Sequence, residues 1–263
     1  MSSSAREAWS KVPEVTLMFW VVKIAATTLG ETAGDAISMS LNLGYLVASG
    51  IFLAIFVAAV AAQIAARRFH PWVYWTTILA TTTVGTTLAD YATRSLGIGY
   101  AGGSTLLLGL LLVSLLVWHR TLGAISVNSI VTARAEGFYW VTVMLSQTLG
   151  TALGDWTADT AGIGYGGSAL LFGGMLLLLA FAYRWTRISN TVLFWAAFIL
   201  TRPLGAVVGD FLDKPIVDGG LALSRFAASA VLLLFVGLCL VVAPPRAARG
   251  GHGLVRAEPD TGS

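Results

Sequence analysis

The stretch FWVVKIAATTLGETAGDA occupies residues 19–36 and places two carboxylates, Glu31 and Asp35, in an otherwise apolar segment. It recurs as YWTTILATTTVGTTLADY at 74–91, YWVTVMLSQTLGTALGDW at 139–156 and FWAAFILTRPLGAVVGDF at 194–211. In each copy a tryptophan precedes a glycine by ten residues and an aspartate by fifteen, without a gap. Such self-similarity is typical of a repeat architecture.

The spacing of the copies indicates an internal duplication. Their aspartates are 55, 65 and 55 residues apart, so the first and third copies, and the second and fourth, are both offset by 120 residues. A half that already contained two repeats was therefore duplicated once. The four aspartates are Asp35, Asp90, Asp155 and Asp210.

The composition is that of a multi-pass membrane protein. Of the 263 residues 56% are hydrophobic and 11% are charged, and the mean hydropathy is +0.79. Each copy is followed by a Gly-rich connection and a second apolar run, such as YLVASGIFLAIFVAAVAAQIAA at 45–66. Every repeat is therefore predicted to be a helical hairpin, which gives an all-α integral membrane protein with eight transmembrane helices.

The arrangement follows from the two spans in each repeat. Two spans return the chain to the same side, so the four two-helix repeats are parallel. Thr, Gly and Ala dominate the first helices, which predicts that these motif helices lie inside and the Leu-rich second helices outside. We expect a single transmembrane domain over 1–243, with repeats at about 11–68, 69–120, 134–187 and 188–243, and a disordered cytoplasmic tail at 244–263.

The basic residues predict the orientation, because Lys and Arg accumulate on the cytoplasmic side of bacterial membranes. Only three fall on the side of the Gly-rich turns, which are Arg94, Lys214 and Arg225. The opposite side carries Arg6, Lys11, Arg67, Arg68, Arg120, Arg134, Arg184, Arg187, Arg246, Arg249 and Arg256. Both termini are therefore expected in the cytoplasm, with the chain in the bacterial cytoplasmic (inner) membrane.

Two features near the cytoplasmic helix ends are interpreted as contacts with the membrane interface. An aromatic pair opens each motif helix, and Trp and Tyr are enriched at such interfaces. Lys23 follows Trp20 by three residues, so we expect its long side chain to reach the cytoplasmic interface.

A polar stripe runs along one face of each motif helix. Positions 7, 11 and 15 after the tryptophan lie four residues apart and therefore on one face. The stripes read Thr27, Glu31, Asp35; Thr82, Thr86, Asp90; Gln147, Thr151, Asp155; and Arg202, Ala206, Asp210. A single aspartate before a turn can simply be solvated there. Glu31, near mid-membrane, is a candidate functional residue, because a carboxylate at that depth costs on the order of a few kcal/mol.

The charges on these stripes favour a cation as ligand. Five carboxylates against Arg202 leave a formal charge of −4, or −3 when Lys23 is included. Arg202 is expected to pair with Glu31 or Asp210, as a structural clamp or as a counter-ion that the substrate displaces. Oxygen ligands without thiolate or imidazole suit Mn²⁺, Mg²⁺ or Ca²⁺. The expected metal ligands are Glu31, Asp35, Asp155 and Asp210, and the expected pathway adds Asp90, Thr27, Thr82, Gln147 and Arg202.

The motifs LGETAGD, LGTALGD and LGAVVGD, with GIGYGG in a turn, resemble a bacterial multi-pass membrane family. That family is built from four copies of a repeat known only as a domain of unknown function. The resemblance covers about Lys11 to Val242, and the second copy departs from it with LAD in place of Gly-Asp. The motifs resemble the Glu-x-Gly-Asp motifs of manganese and calcium exchangers only loosely, which adds slightly to the cation hypothesis.

The leading hypothesis is a transporter for a divalent metal cation, coupled to protons through Glu31. A passive cation channel with an aspartate ring and a transporter of a small organic solute are the alternatives. The sequence has no Ser/His pair, no HExxH and no phosphate loop, so we expect neither an enzyme nor a cofactor. The expected partners are the lipid bilayer and the metal cation, without nucleic acid, and a homodimer is left open.

Overall fold

The computed structural model describes residues 9–66, 68–95, 97–125, 130 and 132–249. Eight α-helices account for most of them, as the sequence predicts. Their bounds are α1 Leu17–Asp35, α2 Gly44–Ala65, α3 Pro71–Asp90, α4 Gly99–Leu122, α5 Ala133–Asp155, α6 Gly164–Trp185, α7 Asn190–Asp213 and α8 Arg225–Val242. Two short strands, β1 Trp9–Pro13 and β2 Ala247–Arg249, flank the helices. Arg6, Arg67, Arg256 and the tail from 250 lie outside the described residues.

Local signals explain where several helices begin and end. Thr16 and Thr132 cap α1 and α5, because their side chains accept hydrogen bonds from backbone N–H groups three residues later. Pro71 opens α3, where a missing N–H costs nothing. Directly after their aspartates, α1, α3 and α5 continue as five-residue π-helical segments at Ala36–Ser40, Tyr91–Ser95 and Trp156–Thr160. Such segments are rare and often adjoin functional sites.

The four motif helices form the inner ring of the molecule. Helix α1 packs against α3, α3 against α5, α5 against α7, and α7 against α1. Nearly every polar residue of their stripes is buried, whereas α2, α4, α6 and α8 expose long rows of Leu, Val and Phe. The inner helices therefore enclose the stripes, and the outer helices surround them.

The outer helices pack differently from the predicted hairpins. Helix α2 packs mainly against α3 rather than against α1, and in the same way α4 packs on α5, α6 on α7 and α8 on α1. Each repeat thus covers the inner helix of the next repeat, and the last covers the first. The sequence could not predict that each outer helix packs against the next repeat, because it indicates which faces are apolar but not which helices they contact.

Glycine at position 10 after the tryptophan allows neighbouring inner helices to approach closely. A Cβ added to Gly30 would lie 2.0 Å from Thr82 Oγ1, and one on Gly205 would lie 2.2 Å from Thr27 Oγ1. The same contact joins position 10 of every repeat to position 7 of the next. The four pairs are Gly30 with Thr82, Gly85 with Gln147, Gly150 with Arg202, and Gly205 with Thr27.

Among the described residues, five helices are long and apolar enough to cross a membrane, namely α2, α4, α6, α7 and α8. Helices α1, α3 and α5 fall short of that threshold because Thr, Gly and charged residues lower their hydropathy. These three helices contribute most of the buried polar residues. The three helices of lower hydropathy are therefore the ones whose polar side chains are covered by neighbouring helices.

The two strands correct the predicted boundary of the tail. Strand β1 pairs with β2 in an antiparallel ladder, with Trp9 opposite Arg249. The tail predicted to be disordered from residue 244 is therefore ordered up to residue 249. Composition at 244–249 gave no hint of this, because the pairing partner lies more than two hundred residues away in the chain.

The aromatic pairs are also placed differently from the prediction. Phe19, Tyr74, Tyr139 and Phe194 are buried at the end of the inner ring that lies nearest the strands, and we call them the aromatic layer. The hydroxyls of Tyr74 and Tyr139 are hydrogen-bonded at 2.5 Å. Three of the four paired tryptophans are buried around this layer as well. The interpretation as an interfacial belt is therefore wrong for most of them, because their side chains are buried among the helices.

Candidate functional site

The stripes of the inner helices meet in two layers of polar residues. The middle layer, at positions 7 and 11, contains Arg202 and Glu31. The outer layer, at position 15, contains the four aspartates, which are all buried. The two layers are one helical turn apart because position 15 follows position 11 by four residues.

Arg202 is the centre of the middle layer. Its Nη2 lies 2.8 Å from Glu31 Oε2, and both side chains are buried. The same nitrogen lies 2.6 Å from Thr86 Oγ1 and also donates to the hydroxyl of Thr151. Nη1 donates to the carbonyl of Thr27 at 3.3 Å. One guanidinium on α7 thus contacts oxygen atoms from the other three inner helices.

The surroundings of Arg202 explain how this long side chain fits between packed helices. A Cβ added to Gly150 would lie only 2.3 Å from the Cγ of Arg202, so the absence of a side chain at Gly150 leaves room for the arginine. Thr86 also donates to Glu31 Oε2 at 3.3 Å, so the carboxylate has a second partner. Of the two expected partners of Arg202, the structure selects Glu31 and not Asp210.

The outer layer is divided into two pairs of aspartates, each bridged by one cation, and Asp35 also lies 3.8 Å from Arg225 Nη2. Lys214 Nζ lies 3.0 Å from Asp35 Oδ2 and 3.0 Å from Asp210 Oδ1. Arg94 bridges the other two aspartates, with Nε 3.0 Å from Asp90 Oδ1 and Nη2 3.6 Å from Asp155 Oδ2. The first pair belongs to the first and last repeats, and the second pair to the two middle repeats.

Lys214 directly follows α7, and Arg94 lies in the π-helical segment that follows α3. Burial disfavours the charged form of Lys214, but the carboxylates of Asp210 and Asp35 outweigh it and raise the pKa of Lys214 above its usual range. Burial likewise opposes the charge of Arg94, and Asp90 with Asp155 raises the pKa of its guanidinium. Both groups therefore remain cations at neutral pH.

Three carboxylates from two helices lie close enough to share one ion. One oxygen atom from each of Glu31, Asp35 and Asp210 can be chosen so that all three lie within 4.8 Å of one another. We call these residues the carboxylate cluster. Glu31 and Asp35 stand on adjacent turns of α1, and Asp210 comes from the neighbouring α7. Of the four predicted metal ligands, Asp155 lies apart, in the pair held by Arg94.

The remaining predicted pathway residues have other roles. The Thr27 hydroxyl donates to the carbonyl of Thr201 at 3.1 Å, and that of Thr82 reaches the carbonyl of Ala26 at 3.4 Å. These hydroxyls link adjacent helices. Gln147 is buried, and within the described part of the chain its side-chain amide has no hydrogen-bond partner.

Sequence reasoning missed Lys214 and Arg94 as members of the site. Each follows an aspartate by four residues, Asp210 and Asp90 respectively, which is a spacing that brings side chains together at a helix end. This spacing is visible in the sequence and could have identified both cations. When these two cations are added to Arg202 and Lys23, five carboxylates meet four formal positive charges, so the formal excess is −1 rather than −3.

Lys23 does not reach the interface as expected. Its side chain is 0% exposed, and its Nζ lies 4.1 Å from the centroid of the Phe198 ring. The aromatic layer lies one turn nearer the helix start, since Phe19 precedes Lys23 by four residues. Because this layer occupies the route to the interface, the side chain remains inside the bundle.

A family model for a repeat of unknown function, DUF347, matches the chain four times, at residues 18–69, 73–123, 138–189 and 193–243. These matches coincide with the four copies defined by the tryptophan, glycine and aspartate motif. No curated protein and no solved structure matches the chain significantly.

Proposed function

The chain belongs to the DUF347 repeat family, and we propose that it is a membrane transporter for a hard divalent metal cation. The carboxylate cluster of Glu31, Asp35 and Asp210 carries the proposal. Three buried carboxylates whose oxygens lie within 4.8 Å of one another match what Mn²⁺, Mg²⁺ and Ca²⁺ require. Buried like charges at this separation repel strongly unless a cation lies among them.

All eight helices are proposed to span the membrane, as four parallel repeats in the bacterial cytoplasmic membrane with both termini in the cytoplasm. Helices α2, α4, α6, α7 and α8 have the necessary hydropathy. The outer helices would shield the more polar α1, α3 and α5 from lipid. Polar residues in such a setting face the bundle interior and are functional candidates.

Arg202 and Lys214 act as internal counter-ions in this proposal. Lys214 contacts Asp35 and Asp210, and Arg202 contacts Glu31, so every member of the cluster is paired with a side-chain cation. A divalent cation entering the cluster replaces both of these charges. Exchange between protein cations and the substrate lets the carboxylates stay neutralised in both states, which avoids the cost of unpaired charge.

A passive channel is less well supported than a transporter. Arg202 places a positive charge in the middle layer, where a cation pore would need negative or neutral oxygen. The aromatic layer adds bulk at the other end, where Tyr74 and Tyr139 are hydrogen-bonded to each other. Both features suit a protein that opens to one side at a time.

The test is uptake of Mn²⁺ into liposomes that contain the purified protein, followed by quenching of an enclosed fluorescent chelator. Wild type is expected to take up Mn²⁺ well above empty liposomes, and Glu31→Gln is expected to abolish the uptake. Asp159→Asn is the matched control, because Asp159 is an acid outside the cluster that accepts a hydrogen bond from Tyr165. Equal uptake by wild type and Glu31→Gln, or none by either, would overturn the proposal.

A further inference from the structure

Lys23 is a buried amine that neither ion-pair network includes. Its Nζ lies over the face of Phe198, 4.1 Å from the ring centroid. Within the described residues no group accepts a hydrogen bond from Nζ, and no carboxylate forms an ion pair with it. An unpaired ammonium in such a place is costly, so the neutral amine is the more easily accommodated form.

On α1, Lys23 lies between Phe19 of the aromatic layer and Glu31 of the carboxylate cluster. It lies two helical turns from Glu31 on the same face of α1, which is about 12 Å along the helix axis. Phe198, which it contacts, precedes Arg202 by four residues on α7. Lys23 therefore lies between the aromatic layer and the guanidinium that holds Glu31.

Several other titratable or charged groups could affect the charge of Lys23, because they lie on α1 itself and on the helices that pack against it, α3, α7 and α8. Arg202 follows Phe198 by four residues on α7, so its charge and a charge on Lys23 would repel each other. The titratable and charged groups on α1 itself are Glu31 and Asp35; those on α7 are Arg202, Asp210 and Asp213; those on α3 are Tyr74 and Asp90; and those on α8 are Arg225 and Cys239.

We propose that Lys23 carries the proton that is exchanged for the divalent cation, an inference that rests on the proposed transport function. When the bundle is open to one side, the lone pair of the neutral amine takes a proton from water on that side. When the bundle is open to the opposite side and a cation binds there, the ammonium returns the proton to water on that opposite side. No other bond changes in the step.

Arg202 links this proton to the carboxylate cluster. While Arg202 is paired with Glu31, much of its charge is compensated, so Lys23 takes up a proton more readily than when the guanidinium is unpaired. A cation in the cluster frees the guanidinium, whose uncompensated charge one turn from Phe198 then favours release of the proton from Lys23. Cation binding and protonation of Lys23 therefore exclude each other, which is the requirement for exchange.

The experiment measures Mn²⁺ and protons together in liposomes that contain the full-length protein and an enclosed pH-sensitive dye. Wild type is expected to move protons outward as Mn²⁺ enters. Lys23→Gln, which cannot titrate, should still exchange internal for external Mn²⁺ but should move protons no faster than empty liposomes. Lys23→Arg, which keeps a permanent charge, should slow Mn²⁺ exchange itself. Lys11→Gln is the control, because Lys11 pairs with Glu136 at 2.7 Å, away from the stripes.

The possible failures are distinguishable. Proton movement retained in Lys23→Gln, or Mn²⁺ uptake by wild type without proton movement, overturns the role of Lys23 and leaves the transport proposal intact. A wild type that moves no Mn²⁺ overturns both. Retention of Mn²⁺ exchange by Lys23→Gln also shows that this variant is folded, so loss of proton movement has only the proposed explanation.

Discussion

Arg202 on α7 and Glu31 on α1 form a buried ion pair at 2.8 Å, joined by the hydroxyls of Thr86 and Thr151 from the other two inner helices. This pair connects all four repeats through one guanidinium. It also means that Glu31 is neutralised within the chain, so a transported cation has to compete with Arg202 for it.

Removing one partner of this pair should destabilise the protein more than removing both. Arg202→Gln leaves the buried carboxylate of Glu31 without its cation, and such a loss costs about 3–5 kcal/mol. The double variant Glu31→Gln with Arg202→Gln should recover a large part of that cost, since no unpaired charge remains. Thermal unfolding in detergent compares the stability of Arg202→Gln with that of the double variant. A double variant that is less stable than Arg202→Gln would contradict it.

Alanine at the close-contact glycines should be destabilising. Gly30→Ala and Gly205→Ala place a Cβ about 2 Å from a threonine hydroxyl of the next inner helix, and overpacking of this kind typically costs about 1–3 kcal/mol or more. Gly237→Ala on the outer helix α8 is the matched control, because a Cβ there meets no atom within 4 Å. Its unfolding temperature should equal or exceed that of wild type. Equal losses at all three positions would show that the inner contacts are not specific.

Neutralising Lys214 should strengthen cation binding. Lys214 occupies Asp35 and Asp210, and removing a competitor worth about 1 kcal/mol corresponds to roughly fivefold in affinity. Lys214→Gln should therefore bind Mn²⁺ more tightly than wild type, as measured by calorimetry. Arg94→Gln is the matched control, because Arg94 holds the pair that lacks a third carboxylate. Weaker binding by Lys214→Gln would mean that Lys214 assists the ion.

The same pairing predicts the pH dependence of stability. Asp210 and Asp35 raise the pKa of Lys214 despite its burial. A raised pKa in the folded state stabilises the protein at pH values below the ordinary lysine pKa, and this contribution is lost only as the pH rises through the folded value. The difference in unfolding temperature between wild type and Lys214→Gln should therefore stay constant from neutral to moderately alkaline pH. A difference that disappears in that range would contradict the assignment.

The proposed topology can be tested by labelling single cysteines. In a Cys239→Ser background, Ala161→Cys follows the third motif helix and Thr186→Cys follows α6, and both positions are exposed. A membrane-impermeant maleimide added to intact cells should label Ala161→Cys, and should label Thr186→Cys only after permeabilisation. Labelling of both in intact cells would show that α6 does not cross the membrane.

The sequence predicted the elements that depend on pattern. Four copies with Trp, Gly and Asp at fixed spacing identified the inner helices, because Gly30 and its equivalents are needed wherever two backbones approach. Apolar runs identified the outer helices. Both signals are local, and each can be read from one segment of about twenty residues.

What the sequence did not predict depends on distant partners. The outer helices cover the next repeat, and β1 meets β2 from the opposite end of the chain. Lys23 was expected at the interface because it follows Trp20 by three residues, yet its side chain is buried and its Nζ lies over the ring of Phe198. Asp155 was grouped with the other aspartates, but Thr151 stands at the position where Glu31 completes the cluster.

The central claim is that Glu31, Asp35 and Asp210 hold the divalent cation, and the most direct measurement is calorimetric titration of the purified protein with Mn²⁺. Asp210 and Asp155 occupy the same position in two repeats and are both buried, so they give a matched comparison. We predict that Asp210→Asn weakens binding by at least about tenfold, as loss of a metal ligand should, whereas Asp155→Asn leaves the affinity close to that of wild type. Equal losses in the two variants, or unchanged affinity in Asp210→Asn, would contradict the account.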